Sequence, residues 1–344
     1  MPNAQKEKKM DYFQLLETEE AITFVKERFE RELCSKLNLV RVSSPIAILD
    51  GNGINDDLNG IERPVSFAIK SLGEGRAQIV HSLAKWKRIR LMQMGMPPGK
   101  GIITDMRALR PDEDYTNLHS VYVDQWDWEQ VISSDQRCVE KLRETVNTIY
   151  QALRNTEKEI ELNYKEIKSV LPPEIKFLHS EELLTMYPDT PAKEREAIAA
   201  REYGAIFIMG IGGELSNGEA HDGRAPDYDD WSTQNEDGYI GLNGDIIVWH
   251  PLLKCPLELS SMGIRVNPEA LMKQLNLKGC PERSNLLYHS MLLNGELPCT
   301  IGGGIGQSRV CMFMLKKRHI GEVQVGIWSE EQRNIMALEG VELL

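Results

Sequence analysis

No stretch of this chain approaches the roughly 18 consecutive apolar residues of a membrane-spanning helix, so a membrane partner is not expected. The opening residues, MPNAQKEKKM, lack the apolar run of a secretory signal. Residues 1–16 read instead as a flexible N-terminal tail. The six cysteines (Cys34, Cys138, Cys255, Cys280, Cys299 and Cys311) form no C-x-x-C pair, and none stands at zinc-site spacing from a histidine. Scattered thiols of this kind fit a reducing cytoplasm. The seven histidines show no H-x₃-H pattern, and no Ser-His-Asp order stands out. Cationic residues are outnumbered, with 40 Lys and Arg against 52 Asp and Glu and a net charge of −12. That balance disfavours a nucleic-acid partner, whose phosphates need lysine and arginine to neutralise them. It leaves room for a small cationic pocket inside an acidic protein.

What is present is a globular composition, 41% hydrophobic and 27% charged over 344 residues. No low-complexity linker or repeat divides it, so residues 17–344 read as one domain. Thr18 to about Ser35 predicts an amphipathic helix, with Ile22, Val25, Phe29, Leu33 and Leu37 as its stripe. A second, longer helix is predicted over about Asp135 to Lys168, ended by Pro172 and Pro173. A third starts at Thr190–Pro191 and stops at Gly204. Strands are predicted at Leu39–Ser44, Gln78–His81, Thr104–Leu109, Ser120–Trp126, Ala205–Met209, Asp245–His250 and Leu257–Met262. Helices at Pro268–Leu275, Ser284–Leu293 and Gln307–Lys316 complete the reading. Consecutive strands with helices gathered at the ends predict an α+β fold on a mainly antiparallel sheet flanked by helices.

Two separated stretches carry the chemistry. RPDED at Arg110–Asp114 leads into LHSVYVDQWDWE at Leu118–Glu129, and IGGGIGQSR occupies Ile301–Arg309. Alternation puts Val121, Val123, Gln125 and Asp127 on one strand face. Polar Gln125 and Asp127 would extend an apolar row, and buried polar groups need partners; a ligand is one, a solvated edge the other reading. The glycine run alone serves equally as a packing hinge or as a ligand cradle. Arg309 just beyond it can stack on a purine or pair with a phosphate. HSLAKWKR brings Lys85, Lys87 and Arg88 together, either as a solvated helix face or as a reach toward an anion. HDGRAPDYDDW, with His221, Asp222, Arg224, Asp227, Asp229 and Asp230, is a polar loop of the kind that is often functional. Asp245 and Glu258, on successive strands, are hard oxygen donors suited to Mg²⁺ bridging phosphates; the strand register is open at this level.

In order, VHSLAKWKR, ALRPDED, LHSVYVDQWDWE, RAPDYDDWS, GLNGDI, ELSSMGIRV and IGGGIGQSR resemble the ammonia-dependent asparagine synthetase (aspartate–ammonia ligase) family. The resemblance runs from about Ile22 to about Trp328 and is weaker at the chain ends and over Gln93–Gly101. That family is similar to the catalytic core of class II aminoacyl-tRNA synthetases, especially the aspartyl and asparaginyl enzymes. The resemblance makes Pro45 part of motif 1, a homodimer interface, Arg110 to Asp127 motif 2 and GGGIGQSR motif 3. It implies an antiparallel sheet of about six or seven strands. Val123 is a departure, standing where the tRNA synthetases carry an aromatic residue against adenine.

The implied reaction joins L-aspartate, ATP and ammonia through a β-aspartyl-AMP intermediate. By the resemblance, Arg110, Asp56 and Lys87 are the catalytic candidates. Ser82, Gln125, Asp127, Asp229, Ser261 and Arg265 are the substrate candidates, with Lys87 and Arg265 for the carboxylates. Arg110, His119, Val121, Gly304 and Arg309 are expected around ATP or AMP, and Asp245 and Glu258 around Mg²⁺. The protein is expected to be a cytoplasmic homodimer that binds no nucleic acid. A tRNA-charging enzyme is the alternative, disfavoured because the core uses nearly the whole chain and no cationic surface is evident. A non-catalytic nucleotide-binding paralogue is the other.

Overall fold

The computed structural model describes residues 12–56, 62–73 and 75–344. In chain order the elements are α1 (Tyr12–Leu37), β1 (Leu39–Arg41), β2 (Ala47–Leu49), β3 (Ser66–Ala68), β4 (Arg76–Ile79), α2 (Ala84–Gln93), β5 (Gly101–Leu109) and β6 (Tyr122–Val131). There follow α3 (Val139–Asn163), β7 (Lys176–His179), α4 (Ser180–Met186), α5 (Ala192–Tyr203), β8 (Ala205–Met209), β9 (Asn243–His250) and β10 (Cys255–Ile264). The chain closes with α6 (Pro268–Leu277), α7 (Leu287–Leu293), β11 (Thr300–Gly306), α8 (Gln307–Met314) and α9 (Glu330–Leu338). An eight-stranded sheet runs β1-β5-β6-β11-β10-β9-β8-β7, antiparallel except for the outer pairs β1/β5 and β7/β8. A small antiparallel sheet, β2-β4-β3, stands apart from it. Among the described residues, no helix is long and apolar enough to cross a membrane.

One face of the large sheet is sealed by α1, α3 and α8. Val25, Phe29 and Leu33 of α1 are fully buried, as are Val139, Leu142, Val146, Ile149 and Leu153 of α3. They meet the even-numbered residues of β6: Phe29 packs on Trp126 with ring centroids 4.7 Å apart. Apolar burial of this extent drives the assembly, at about 1.5–3 kcal/mol for each large side chain. The odd-numbered residues of β6 therefore face the other way, toward the site.

Helix bounds differ from the sequence reading for local reasons. The first helix begins at Tyr12, inside the expected tail, because Leu15 continues the apolar stripe seven residues before Ile22; the rest of that tail, residues 1–11, lies outside the described residues. The long helix ends at Asn163, not near Lys168. There the buried Glu157 carboxylate accepts the backbone N–H groups of Val170 and Leu171, at 2.8 and 3.0 Å, and turns the chain back. The third helix does stop at Gly204, whose φ of 75° suits glycine. The basic segment of α2 is not a solvated face: Lys85, Lys87 and Arg88 are all buried.

Candidate active site

The sheet register lines up a row of residues. Asp127 on β6 pairs with Gly304 on β11, Gly304 with Ser261 on β10, and Ser261 with Asp245 on β9. Paired residues in a ladder point to the same face, so this row crosses the middle of the sheet. A neighbouring row runs Glu129, Gly302, Gly263 and Asn243. The glycine run is thus a central strand and not a hinge, with Gly303, Gly304 and Gly306 lining the cavity. Its reason is steric. A Cβ at Gly302 would lie 2.0 Å from Glu129 Oε2, and one at Gly304 would lie 2.5 Å from Gln125 Oε1. Long polar side chains of β6 occupy the space that side chains on β11 would take.

Glu258 joins this face through a register shift. It pairs with Ile247, while Ser260 pairs with Ile246, so Leu259 is an extra residue on β10. Strict alternation would have put Glu258 opposite in sense to Ser261. The bulge reverses it and brings Glu258 and Asp245 to one side of the sheet. Burial raises the Asp245 carboxyl, Arg224 pulls it down, and nearby Glu258 raises it again, to about 6. Asp245 Oδ1 already accepts Arg224 Nη2 at 2.5 Å. Among the described residues, no cluster of three or more His, Cys, Asp or Glu is set to hold a metal.

Above these rows lies a cavity of about 560 Å³. Asp56, Ser82, Arg110, His119, Gln125, Asp127, Asp229, Glu258, Ser261, Arg265, Gly304 and Arg309 all line it. Three expected residues stand elsewhere. Lys87 is fully buried behind the wall, with Nζ donating to Asp127, to Trp128 O at 2.8 Å and to Gly303 O at 3.3 Å. An ammonium has three protons, so the expected contact with a substrate carboxylate gives way to a positioning role. The Val121 carbonyl accepts the Arg110 backbone N–H at 2.8 Å and sets the loop. Asp245 is reached through Arg224.

The floor is a buried charge network. Arg265 clasps Glu129 with Nε (2.9 Å) and Nη2 (2.8 Å), and its Nη1 donates to Asp229. Burial pushes the Glu129 carboxyl up, but Arg265 and Lys87 outweigh it and hold the group below its ordinary value. Three cations, Lys87, Arg265 and Arg224, formally face four carboxylates, Asp127, Glu129, Asp229 and Asp245. The surplus negative charge suits an ammonium. The Nη1 and Nη2 groups of Arg265 each retain a second proton for a carboxylate.

The opposite end carries two arginines, Arg110 and Arg309, the second 3.6 Å from Glu258 Oε2. Among the described residues, Arg110 Nη2 reaches the His81 carbonyl, at 3.3 Å, and Arg110 Nε is buried with no partner. Arg309 Nη1 donates to the Glu258 carbonyl at 3.1 Å, and its Nη2 meets His119 Nε2 at 2.9 Å. His119 Nδ1 lies 2.8 Å from Thr116 Oγ1, which also accepts the Leu118 N–H. His119 therefore donates from Nδ1 and accepts at Nε2. Burial first, then Arg309, Arg110 and Lys193, lower its pKa to about 4, against an ordinary 6.5. The native state thus favours the neutral ring. Its stabilising contribution is complete above 6.5 and is lost as pH falls from 6.5 through about 4. A proton NMR titration of the ligand-free protein should show no His119 transition between pH 5 and 8. A midpoint near 6.5 would contradict this environment.

Other lining residues carried weaker sequence signals. Asp222 and Arg224 stand in the dense polar loop already singled out, as does Tyr228 between two aspartates. Lys193, in the first turn of α5, pairs with Asp222 at 2.6 Å and looks like an ordinary surface lysine in sequence.

This arrangement has close relatives. The chain is 54% identical over 330 residues to the aspartate–ammonia ligase of Parabacteroides distasonis, covering 96% of each chain. It is 52% identical over 337 residues to that of Clostridium perfringens, covering 97% of this chain and 98% of the other. Among solved structures it resembles the asparaginyl-tRNA synthetase of Entamoeba histolytica in complex with asparaginyl-adenylate, with a TM-score of 0.64 at 13% identity. The Pyrococcus horikoshii asparaginyl-tRNA synthetase complexed with asparaginyl-adenylate follows at 0.63 and 15%. Both alignments cover 90% of this chain, and they span 66% and 68% of the synthetase chains. The α+β sheet is therefore that of the class II synthetases, with eight strands where six or seven were expected. The aspartate–ammonia ligase family model matches residues 16–340, and with relatives this similar over nearly the full length, the chain belongs to the aspartate–ammonia ligase family.

Proposed function

We propose that the protein makes L-asparagine from L-aspartate, ATP and ammonia, releasing AMP and pyrophosphate. The observation that carries this is one cavity with two opposed ends. Arg110 and Arg309 offer guanidinium groups at one end, and a floor with surplus negative charge lies at the other. A nucleotide and an amino acid placed accordingly meet over the Gly304–Ser261 row.

A β-carboxylate is a poor electrophile because its leaving group would be oxide. Attack by one of its oxygens on the α-phosphorus forms an O–P bond and breaks the bond to pyrophosphate. Arg110 stabilises the negative charge that develops there. Arg309, with His119 as the acceptor that orients it, clamps the nucleotide, and Gly304 lines the cavity floor beside Gln125. Asp127, Asp229 and Gln125 hold the α-ammonium, while Arg265 takes the α-carboxylate with Ser82 and Ser261 as hydroxyl donors. Lys87 fixes Asp127 from behind. In the second step ammonia forms a C–N bond to the acyl carbon, AMP leaves, and one proton leaves the nitrogen. Asp56 at the cavity wall attracts ammonium and accepts the proton whose loss frees the ammonia lone pair, and the proton released after C–N bond formation passes to solvent.

Asp245 and Glu258 fit Mg²⁺ shared with phosphates, since Mg²⁺ is bound by one or two carboxylates together with substrate phosphates. Such an ion supplies neutralisation of phosphate charge. A homodimer in the cytoplasm completes the reading. Aspartate-dependent exchange of labelled pyrophosphate into ATP tests the adenylation step. Exchange with aspartate well above that with glutamate supports it. Equal exchange would refute the proposed fit, though a single methylene contributes only about 1–3 kcal/mol by itself. No exchange would refute adenylation.

A further inference from the structure

The loop between β8 and β9 sets one arginine where the proposed reaction brings two anions together. The Arg224 side chain lines the cavity and is 11% exposed. Its Nη1 donates to Ser261 Oγ at 2.6 Å and its Nη2 to Asp245 Oδ1 at 2.5 Å. Its Nε lies 3.7 Å from Asp229 Oδ2, too far for a hydrogen bond, and is buried without a partner among the described residues. The fold builds this position. Gly212 has φ +115°, and a Cβ there would come within 2.6 Å of Arg224 Cβ and 2.9 Å of the Trp231 ring. Trp231 closes the loop by donating from Nε1 to the Ala225 carbonyl at 3.0 Å.

Arg224 therefore touches both ends of the site. Ser261 and Asp229 belong to the amino-acid end, and Asp245 with Glu258 forms the carboxylate pair on the phosphate side. The reacting β-carboxylate has to come between them. Arg224 supplies a cation at that point, beside the carboxylate of Asp229. The Arg224 Nε–H has no hydrogen-bond acceptor among the described residues.

We infer that Arg224 binds the β-carboxylate of L-aspartate and selects it over the amide of the product, L-asparagine. This rests on the function proposed above. A guanidinium makes charge-assisted bonds to a carboxylate and only ordinary ones to an amide oxygen. Substrate is thus held in its ionised, nucleophilic form, and product is held less tightly.

The test compares Arg224→Gln and Arg224→Lys with the unmodified protein. Dissociation constants for L-aspartate and L-asparagine are measured by calorimetry at saturating AMP. The glutamine variant is expected to lose aspartate affinity by on the order of 10-fold or more, with asparagine affinity little changed. The lysine variant, which keeps the charge without the fork, should fall between. A parallel loss for both ligands would mean that Arg224 only braces the site and would overturn the inference, as would an unchanged ratio. If the glutamine variant does not fold, the ratio in the lysine variant decides in the same way. An unmodified protein with no aspartate-dependent exchange would overturn the proposed function as well. Normal exchange in that protein with unshifted ratios in the variants would overturn this inference alone.

Discussion

Replacing Arg110 by lysine is expected to lower aspartate-dependent ATP–pyrophosphate exchange on the order of 10²-fold or more, the loss typical of one preorganised donor. The geometry explains why a second cation would not substitute. The backbone of Arg110 is tied to Val121 across the start of the β5–β6 turn, which fixes where its side chain begins. Among the described residues its guanidinium has one bond, to the His81 carbonyl, and a buried Nε with none. Arg265 differs, with three of its donors engaged by Glu129 and Asp229. An arginine left with open donors beside a cavity is preorganised for an anion that arrives later. Lysine keeps the charge but cannot present a planar fork to a phosphate. The variant should melt close to the parent, because Arg110 anchors no buried carboxylate. Near-normal exchange would refute the assignment.

Changing Asp56 to asparagine is expected to separate the two half-reactions. Pyrophosphate exchange should persist, and asparagine formation should be lost. Asp56 is 2% exposed yet lines the cavity, on a segment held to β4 by Asn55, whose Nδ2 donates to Gln78 Oε1 at 3.1 Å and to the Ile79 carbonyl at 3.3 Å. The Asp56 carbonyl lies 3.1 Å from His81 Nδ1, which ties it to the turn that also receives Arg110. The substitution keeps the shape of the side chain and removes its charge. Ammonia in neutral solution is mostly ammonium, with no lone pair for attack. The nucleotide and aspartate ends would be intact, but nothing would draw in and deprotonate the nitrogen. Loss of both activities together would assign Asp56 to the first step or to the fold.

Much of this site was legible in the sequence, and the exceptions have physical causes. The row of Gln125 and Asp127 followed from period-two alternation, as the continuation of Val121 and Val123. Arg110 and Arg309 stood out because polar loops and glycine runs mark close approach. The meeting of Asp245 with Glu258 was not legible. It depends on one extra residue, Leu259, and a bulge leaves no compositional trace in ELSS. The role of Lys87 was misplaced because a lysine beside an anion-binding motif reads as a ligand. Only the register shows Asp127, Trp128 O and Gly303 O taking its protons. That the glycine run is a strand as well as part of the cavity lining was not legible, because glycine weakens a strand. Here it is a strand because Glu129 and Gln125 fill the volume its side chains would need.

The most direct test of the account is the release of AMP from ATP with L-aspartate, with and without ammonium, alongside the asparagine formed. The account predicts that AMP and asparagine appear in equal amounts and only when ammonium is supplied. Release of ADP, or AMP release under ammonium without asparagine, would contradict it.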